Sequence, residues 1–213
     1  MDDQSWLRLL KQHKVIAVIR SPQESLGLKM AQAVAEGGIR LIEITWNSKN
    51  PGGLITRLRS QLPDCTIGAG TILNLSQLNK AIASQAQFIF SPHTNPLLIQ
   101  GGISAGIPMV PGALSPTEIV TAWQAGASSV KVFPSQAVGG PNYIKSLQGP
   151  LGQIPLIPTG GITLNNTSEF LAAGAIAVGL SSKLFPQELI AAGDWQGVTE
   201  LTKSLQEKLL VNC

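Results

Sequence analysis

The sequence is poor in the residues that would tie it to a metal, a disulfide framework, a nucleic acid or a membrane. Only two of its 213 residues are cysteine, Cys65 and Cys213, far apart and without a CxxC spacing, so neither a metal site nor a disulfide framework is expected. Charged residues make up only 13% of the chain, the formal net charge is +3, and the fifteen Lys and Arg are scattered. With no basic block to follow a phosphate backbone, nucleic acid is not an expected partner. No apolar stretch approaches the roughly 20 residues that span a bilayer, so no membrane partner is expected either. Met1-Asp2-Asp3-Gln4-Ser5 lacks the basic and apolar regions of a signal peptide, and the cytoplasm is the expected location. Aromatics are sparse at 5%, and Trp6, Trp46, Trp123 and Trp195 read most simply as core or interface packing.

The chain does have an apolar content of 44% and a steady alternation of short β-branched runs with helical patterns. The composition argues against disorder and for burial on both sides of the elements, and the length suits one domain over residues 1–213. The spacing predicts strands at Val15–Ile19, Leu41–Trp46, Thr66–Thr71, Phe88–Ser91, Met109–Gly112, Ser129–Phe133, Leu156–Thr159 and Ala175–Gly179. Helices are expected at Glu24–Glu36, Pro51–Gln61, Leu75–Ser84, Asn95–Ser104, Thr117–Gln124, Tyr143–Leu151, Asn165–Ala173 and Trp195–Leu210. A repeating strand–helix unit of about 23 residues implies a parallel sheet. Eight such units point to a single (β/α)8 TIM barrel, with an N-terminal helix near Ser5–Gln12 capping its bottom. A doubly wound open sheet is the alternative, weakened by the lack of a GxGxxG turn after the first strand.

Lys131 stands out, alone among apolar neighbours in Ser129-Val130-Lys131-Val132-Phe133-Pro134. Desolvation disfavours an ammonium, and a neutral amine attacks carbonyls to form Schiff bases. An edge lysine snorkelling to water is the plainer reading. The period of two places Lys131 and Phe133 inward, and in Leu41-Ile42-Glu43-Ile44-Thr45-Trp46-Asn47 it puts Glu43, Thr45 and Asn47 on the same inner face. Glu43 and Lys131 can thus meet across the interior, either as an inert buried ion pair or as a proton-transfer group beside an imine-forming lysine.

Other candidates sit where strands end. Thr66-Ile67-Gly68-Ala69-Gly70-Thr71 offers close ligand approach and a hydroxyl, or simply a tight turn. Pro158-Thr159-Gly160-Gly161-Ile162 and Val178-Gly179-Leu180-Ser181-Ser182 fall where barrels often hold phosphate on backbone N–H groups, although glycine is common in ordinary turns. Arg20 can reach the mouth as an anion ligand or remain a solvated strand end. His93 reads as a loop residue.

Together these segments resemble the 2-keto-3-deoxy-6-phosphogluconate (KDPG) and 4-hydroxy-2-oxoglutarate aldolase family. The resemblance runs nearly the full length, from Val15-Ile16-Ala17-Val18-Ile19-Arg20 through Glu43-Ile44-Thr45, Gly68-Ala69-Gly70-Thr71, Val130-Lys131-Val132-Phe133-Pro134, Pro158-Thr159-Gly160-Gly161-Ile162 and Gly179-Leu180-Ser181. It implies Lys131 as the Schiff-base lysine and Glu43 as the proton-transfer residue. It implies Thr71 and Thr159 as contacts to the keto acid, Phe133 as a wall beside the imine, and Gly160, Gly161 and Ser181 as phosphate ligands. It further implies a homotrimer acting on a phosphorylated keto acid without metal or cofactor. One departure stands out: the family pattern carries a carboxylate-binding arginine two residues beyond the threonine, and this chain has Asn47 there. Asparagine lacks the charged bidentate fork, a deficit that Arg20 can offset.

The activity expected is therefore aldol cleavage at a Lys131 imine. An imine-forming β-keto-acid decarboxylase needs the same lysine; a phosphosugar isomerase or epimerase does not; and a keto-acid-binding paralogue without turnover is the non-enzymatic alternative raised by Asn47.

Overall fold

The computed structural model describes residues 1–211, so Cys213 lies outside the described residues. Helix α1 (Asp3–His13) comes first, capped by the Asp2 carboxylate, which accepts the Ser5 N–H at 2.8 Å. Strands β1 (Val15–Ile19), β2 (Leu41–Thr45), β3 (Thr66–Gly70), β4 (Ile89–Phe90) and β5 (Met109–Val110) follow, separated by α2 (Glu24–Glu36), α3 (Pro51–Gln61), α4 (Leu75–Ala83) and α5 (Pro96–Ser104). Then come β6 (Gly112–Ala113), α6 (Pro116–Gln124), β7 (Val130–Val132), a 3-10 turn at Ser135–Val138, α7 (Pro141–Leu151) and β8 (Leu156–Pro158). Helix α8 (Thr167–Ala172), β9 (Val178–Leu180), α9 (Gln187–Ala192) and α10 (Trp195–Val211) complete the described chain.

The single closed eight-stranded barrel expected from the sequence is not what these strands build. Among the described residues they form a six-stranded parallel sheet, in the order β5-β4-β3-β2-β1-β9, and a separate three-stranded sheet, β6-β7-β8. The reason is local. Pro111 divides the expected fifth strand into β5 and β6; lacking an N–H, it cannot donate to a ladder, although its carbonyl still accepts the Lys131 N–H at 2.9 Å. At the other seam β8 and β9 are joined by an isolated bridge between Thr159 and Gly179.

The two sheets nevertheless enclose one interior. Alternation along each strand sends Val15, Ala17, Ile19, Ile42, Ile44, Val130 and Val132 to the helix layer. Ile16, Leu41, Phe88, Phe90, Val110, Ile157 and Ala177 turn the other way, onto Trp6 and Leu10 of α1. Trp6 plugs this inner space at the amino ends of the strands. Its ring lies 4.9 Å from that of Phe88, and its Nε1–H donates to Ser129 Oγ at 3.1 Å. The interior is thus closed at one end and open at the carboxyl ends of the strands. No helix among the described residues is long and apolar enough to cross a membrane.

Candidate active site

Strand β2 carries Glu43 between Ile42 and Ile44, which pack outward, so its carboxylate is delivered to the inner face with only 1% of the residue exposed. The carboxylate occupies the space left by Gly70 on the neighbouring strand: a Cβ on Gly70 would collide with it. Neither Glu43 oxygen has a hydrogen-bond partner among the described residues. Burial raises the Glu43 pKa above the ordinary carboxylate value of 4.5, against the weaker opposing pull of the Lys131 and Arg20 charges. An unpartnered carboxyl that takes up a proton more readily than usual is suited to carrying one to and from a ligand.

Lys131 enters the same interior from β7, 6% exposed, with Val130 and Val132 turned outward. Its ammonium lies 5.7 Å from the Phe90 ring centre and 4.9 Å from that of Phe133. Phe133 stands at the mouth, partly exposed, with a cleft of about 390 Å³ beside it lined by Gly112, Leu114, His93 and Glu118 among others. His93 itself is an exposed loop residue whose carbonyl accepts the Ser91 hydroxyl. A larger cleft, about 940 Å³, opens at the amino ends of the strands beside Lys11, Pro155 and Gly174, away from Lys131.

The remaining candidates rim the open end. Thr159 follows β8, and its buried Oγ1 has no hydrogen-bond partner among the described residues. Gly160 and Gly161 come next with φ of 88° and 84°, a left-handed conformation that side chains resist. The turn after β7 grips this glycine pair: Ser135 Oγ and Gln136 N–H both donate to the Gly160 carbonyl, at 3.0 and 3.1 Å. Ser181 is exposed directly after β9, whose Gly179 bridges Thr159. Thr71 follows β3, half-buried with φ of 58°, while Arg20 and Asn47 are exposed immediately beyond β1 and β2.

The structure therefore gathers Lys131, Glu43, Phe133 and Thr159 around one interior and leaves Arg20, Asn47, Thr71, Gly160, Gly161 and Ser181 on its rim. Lys131 and Arg20 reach Glu43 through their charge, not through hydrogen bonds. Sequence reasoning overlooked Ser21 and Ser48, buried beneath the rim, where Ser48 Oγ meets both the Ser21 N–H and Thr45 Oγ1. The period of two had already turned Thr45 inward, but nothing in the sequence said that Ser21 and Ser48 would meet.

A family model described as KDPG and KHG aldolase matches residues 7–201. The 2-dehydro-3-deoxy-phosphogluconate aldolase of Treponema pallidum is 36% identical over 194 residues, covering 91% of this chain and 92% of that one. The KHG/KDPG aldolase of Escherichia coli K12 is 31% identical over 193 residues, covering 91% of each. A crystal structure of the KDPG aldolase from Legionella pneumophila, with pyruvate captured as a covalent carbinolamine, superposes with a TM-score of 0.86 at 31% identity, covering 93% of this chain and 97% of that one.

Proposed function

Because the chain belongs to the KDPG and KHG aldolase family, we propose that it is a class I aldolase, a carbon–carbon lyase working through an imine on Lys131. Its substrates are 2-keto-3-deoxy-6-phosphogluconate, cleaved to pyruvate and glyceraldehyde 3-phosphate, and 4-hydroxy-2-oxoglutarate, cleaved to pyruvate and glyoxylate. The observation that carries this reading is a buried lysine sharing a closed-bottomed interior with a buried carboxyl that has no hydrogen-bond partner among the described residues.

The steps follow from that pairing. The Lys131 amine adds to the substrate ketone, and the carbinolamine loses water to give an iminium. Glu43, ionised, takes the proton of the C4 hydroxyl as the C3–C4 bond breaks; the bonding electrons pass into the iminium and leave an enamine of pyruvate. The aldehyde departs, C3 regains a proton, and water releases pyruvate from Lys131. Phe133 walls the imine. Thr71, Thr159, Asn47 and Arg20 take the keto-acid end, and Arg20 supplies the charge that Asn47 lacks. The N–H groups of Gly160 and Gly161, with the Ser181 hydroxyl, take the phosphate. A phosphosugar isomerase or epimerase would leave Lys131 without chemistry.

The same reading places the enzyme in the cytoplasm, where phosphorylated metabolites are retained, and makes it a homotrimer. Leu73, Leu75, Leu97 and Ile103 expose large apolar side chains around the neighbouring helices α4 and α5, a surface suited to self-association.

The decisive experiment is borohydride reduction in the presence of pyruvate, followed by peptide mass spectrometry. A pyruvyl adduct on Lys131, lost in Lys131→Ala together with cleavage activity, is the expected result. A protein that binds pyruvate yet yields no adduct is a binding protein, and the aldolase reading fails.

A further inference from the structure

Beyond Ile19 and Ile44 the ladder between β1 and β2 ends, yet the two strand ends do not separate. The Ser21 N–H donates to Ser48 Oγ at 3.1 Å, and the Lys49 N–H donates to the Ser21 carbonyl at 2.9 Å. Ser48 Oγ also shares a hydrogen bond with Thr45 Oγ1 at 3.2 Å, and its N–H returns to the Thr45 carbonyl at 2.9 Å. Ser21 Oγ is itself committed to the Gln23 carbonyl at 2.6 Å. All three side chains are buried, so no solvent replaces these bonds cheaply. The residue immediately before Ser21 is Arg20.

We propose that Ser48 is a positioning residue: by holding the Ser21 amide across from β2, it sets where Arg20 leaves β1 and so aims the guanidinium at the carboxylate end of the substrate. Arg20 is exposed and long, and a flexible cation in water gains little from an anion unless its backbone is held. Side-chain bonds from the next strand supply that restraint where the ladder no longer does. That the Arg20 charge acts on Glu43 agrees with its placement on the Glu43 side of the mouth. The inference rests on the aldolase reading, in which Arg20 binds the keto-acid carboxylate.

Ser48→Ala separates positioning from chemistry. The expected result is a rise in KM of about tenfold with kcat nearly unchanged, because an interaction common to ground and transition states is weakened. Borohydride still traps pyruvate on Lys131 at saturation. In an Arg20→Ala background the same substitution adds no further rise, since Ser48 acts through Arg20. Ser48→Thr, which keeps the hydroxyl, stays within about twofold of wild type. Unchanged KM in Ser48→Ala, effects that multiply in the double variant, or a tenfold loss in Ser48→Thr would overturn the proposal. Absence of the adduct in the wild-type protein sinks the aldolase reading instead, so the two failures are distinguishable.

Discussion

Glu43 shows how two opposed effects at one residue are decided by burial. Lys131 and Arg20 favour its charged form, but removal from water outweighs them and the folded-state pKa lies above 4.5. The sign for stability follows from linkage. A carboxyl whose folded pKa is raised contributes most when protonated, below its unfolded pKa, and that contribution is lost as the pH rises from 4.5 through the folded value. Glu43→Gln should therefore raise the melting temperature at neutral pH while lowering kcat by about 10²- to 10⁴-fold, the range for a lost general acid–base. Calorimetry beside steady-state assays checks both halves. Because the base must be ionised, the acid limb of the wild-type kcat profile should lie above 4.5 and disappear from the residual activity of the variant. At Asn47 the reverse substitution is informative. Asn47→Arg adds a charged donor at the strand end and should lower KM for a carboxylate substrate by about ten- to a hundredfold, the worth of one charge-assisted hydrogen bond.

At the scale of the element, strand alternation accounts for most of what could be read in advance. In β2 and β7 single polar residues stand between apolar neighbours that must face the helices, and a period of two then leaves Glu43 and Lys131 only the interior. That inference needs no contact across the sheet. Gly70 is different: its place opposite Thr45 and against the Glu43 carboxylate depends on strand register, so the sequence suggested only a general freedom of approach. Gly70→Ala should displace Glu43 and lower kcat by at least tenfold, with Lys131 still trapping pyruvate under borohydride. The bottom plug is an element of another kind. Trp6 is fully buried between the sheets and remote from the rim, so Trp6→Ala should cost roughly 3–5 kcal/mol, a fall in melting temperature of about 10 °C, seen by circular dichroism.

At the scale of the whole molecule, self-association through the exposed leucines of α4 and α5 should give three times the protomer mass in sedimentation equilibrium, and Leu97→Glu should reduce it to the protomer. The same scale explains the departure from a closed eight-stranded ladder. Counting strand–helix units gave eight strands where the described residues form nine, and it does not say which hydrogen bonds between them form. Pro111 was visible inside an expected strand, but only the folded chain put it at a seam and left an isolated bridge between Thr159 and Gly179 at the other. By itself the sequence determined the alternating parallel architecture, the inward lysine and carboxylate, and the Gly160–Gly161 turn after β8, because these depend on local periodicity and backbone freedom. The tertiary structure alone decided the split into two sheets, the nesting of Glu43 against Gly70 and the Ser21–Ser48 tie, because each depends on which atoms of distant segments come to lie within a few ångströms of one another.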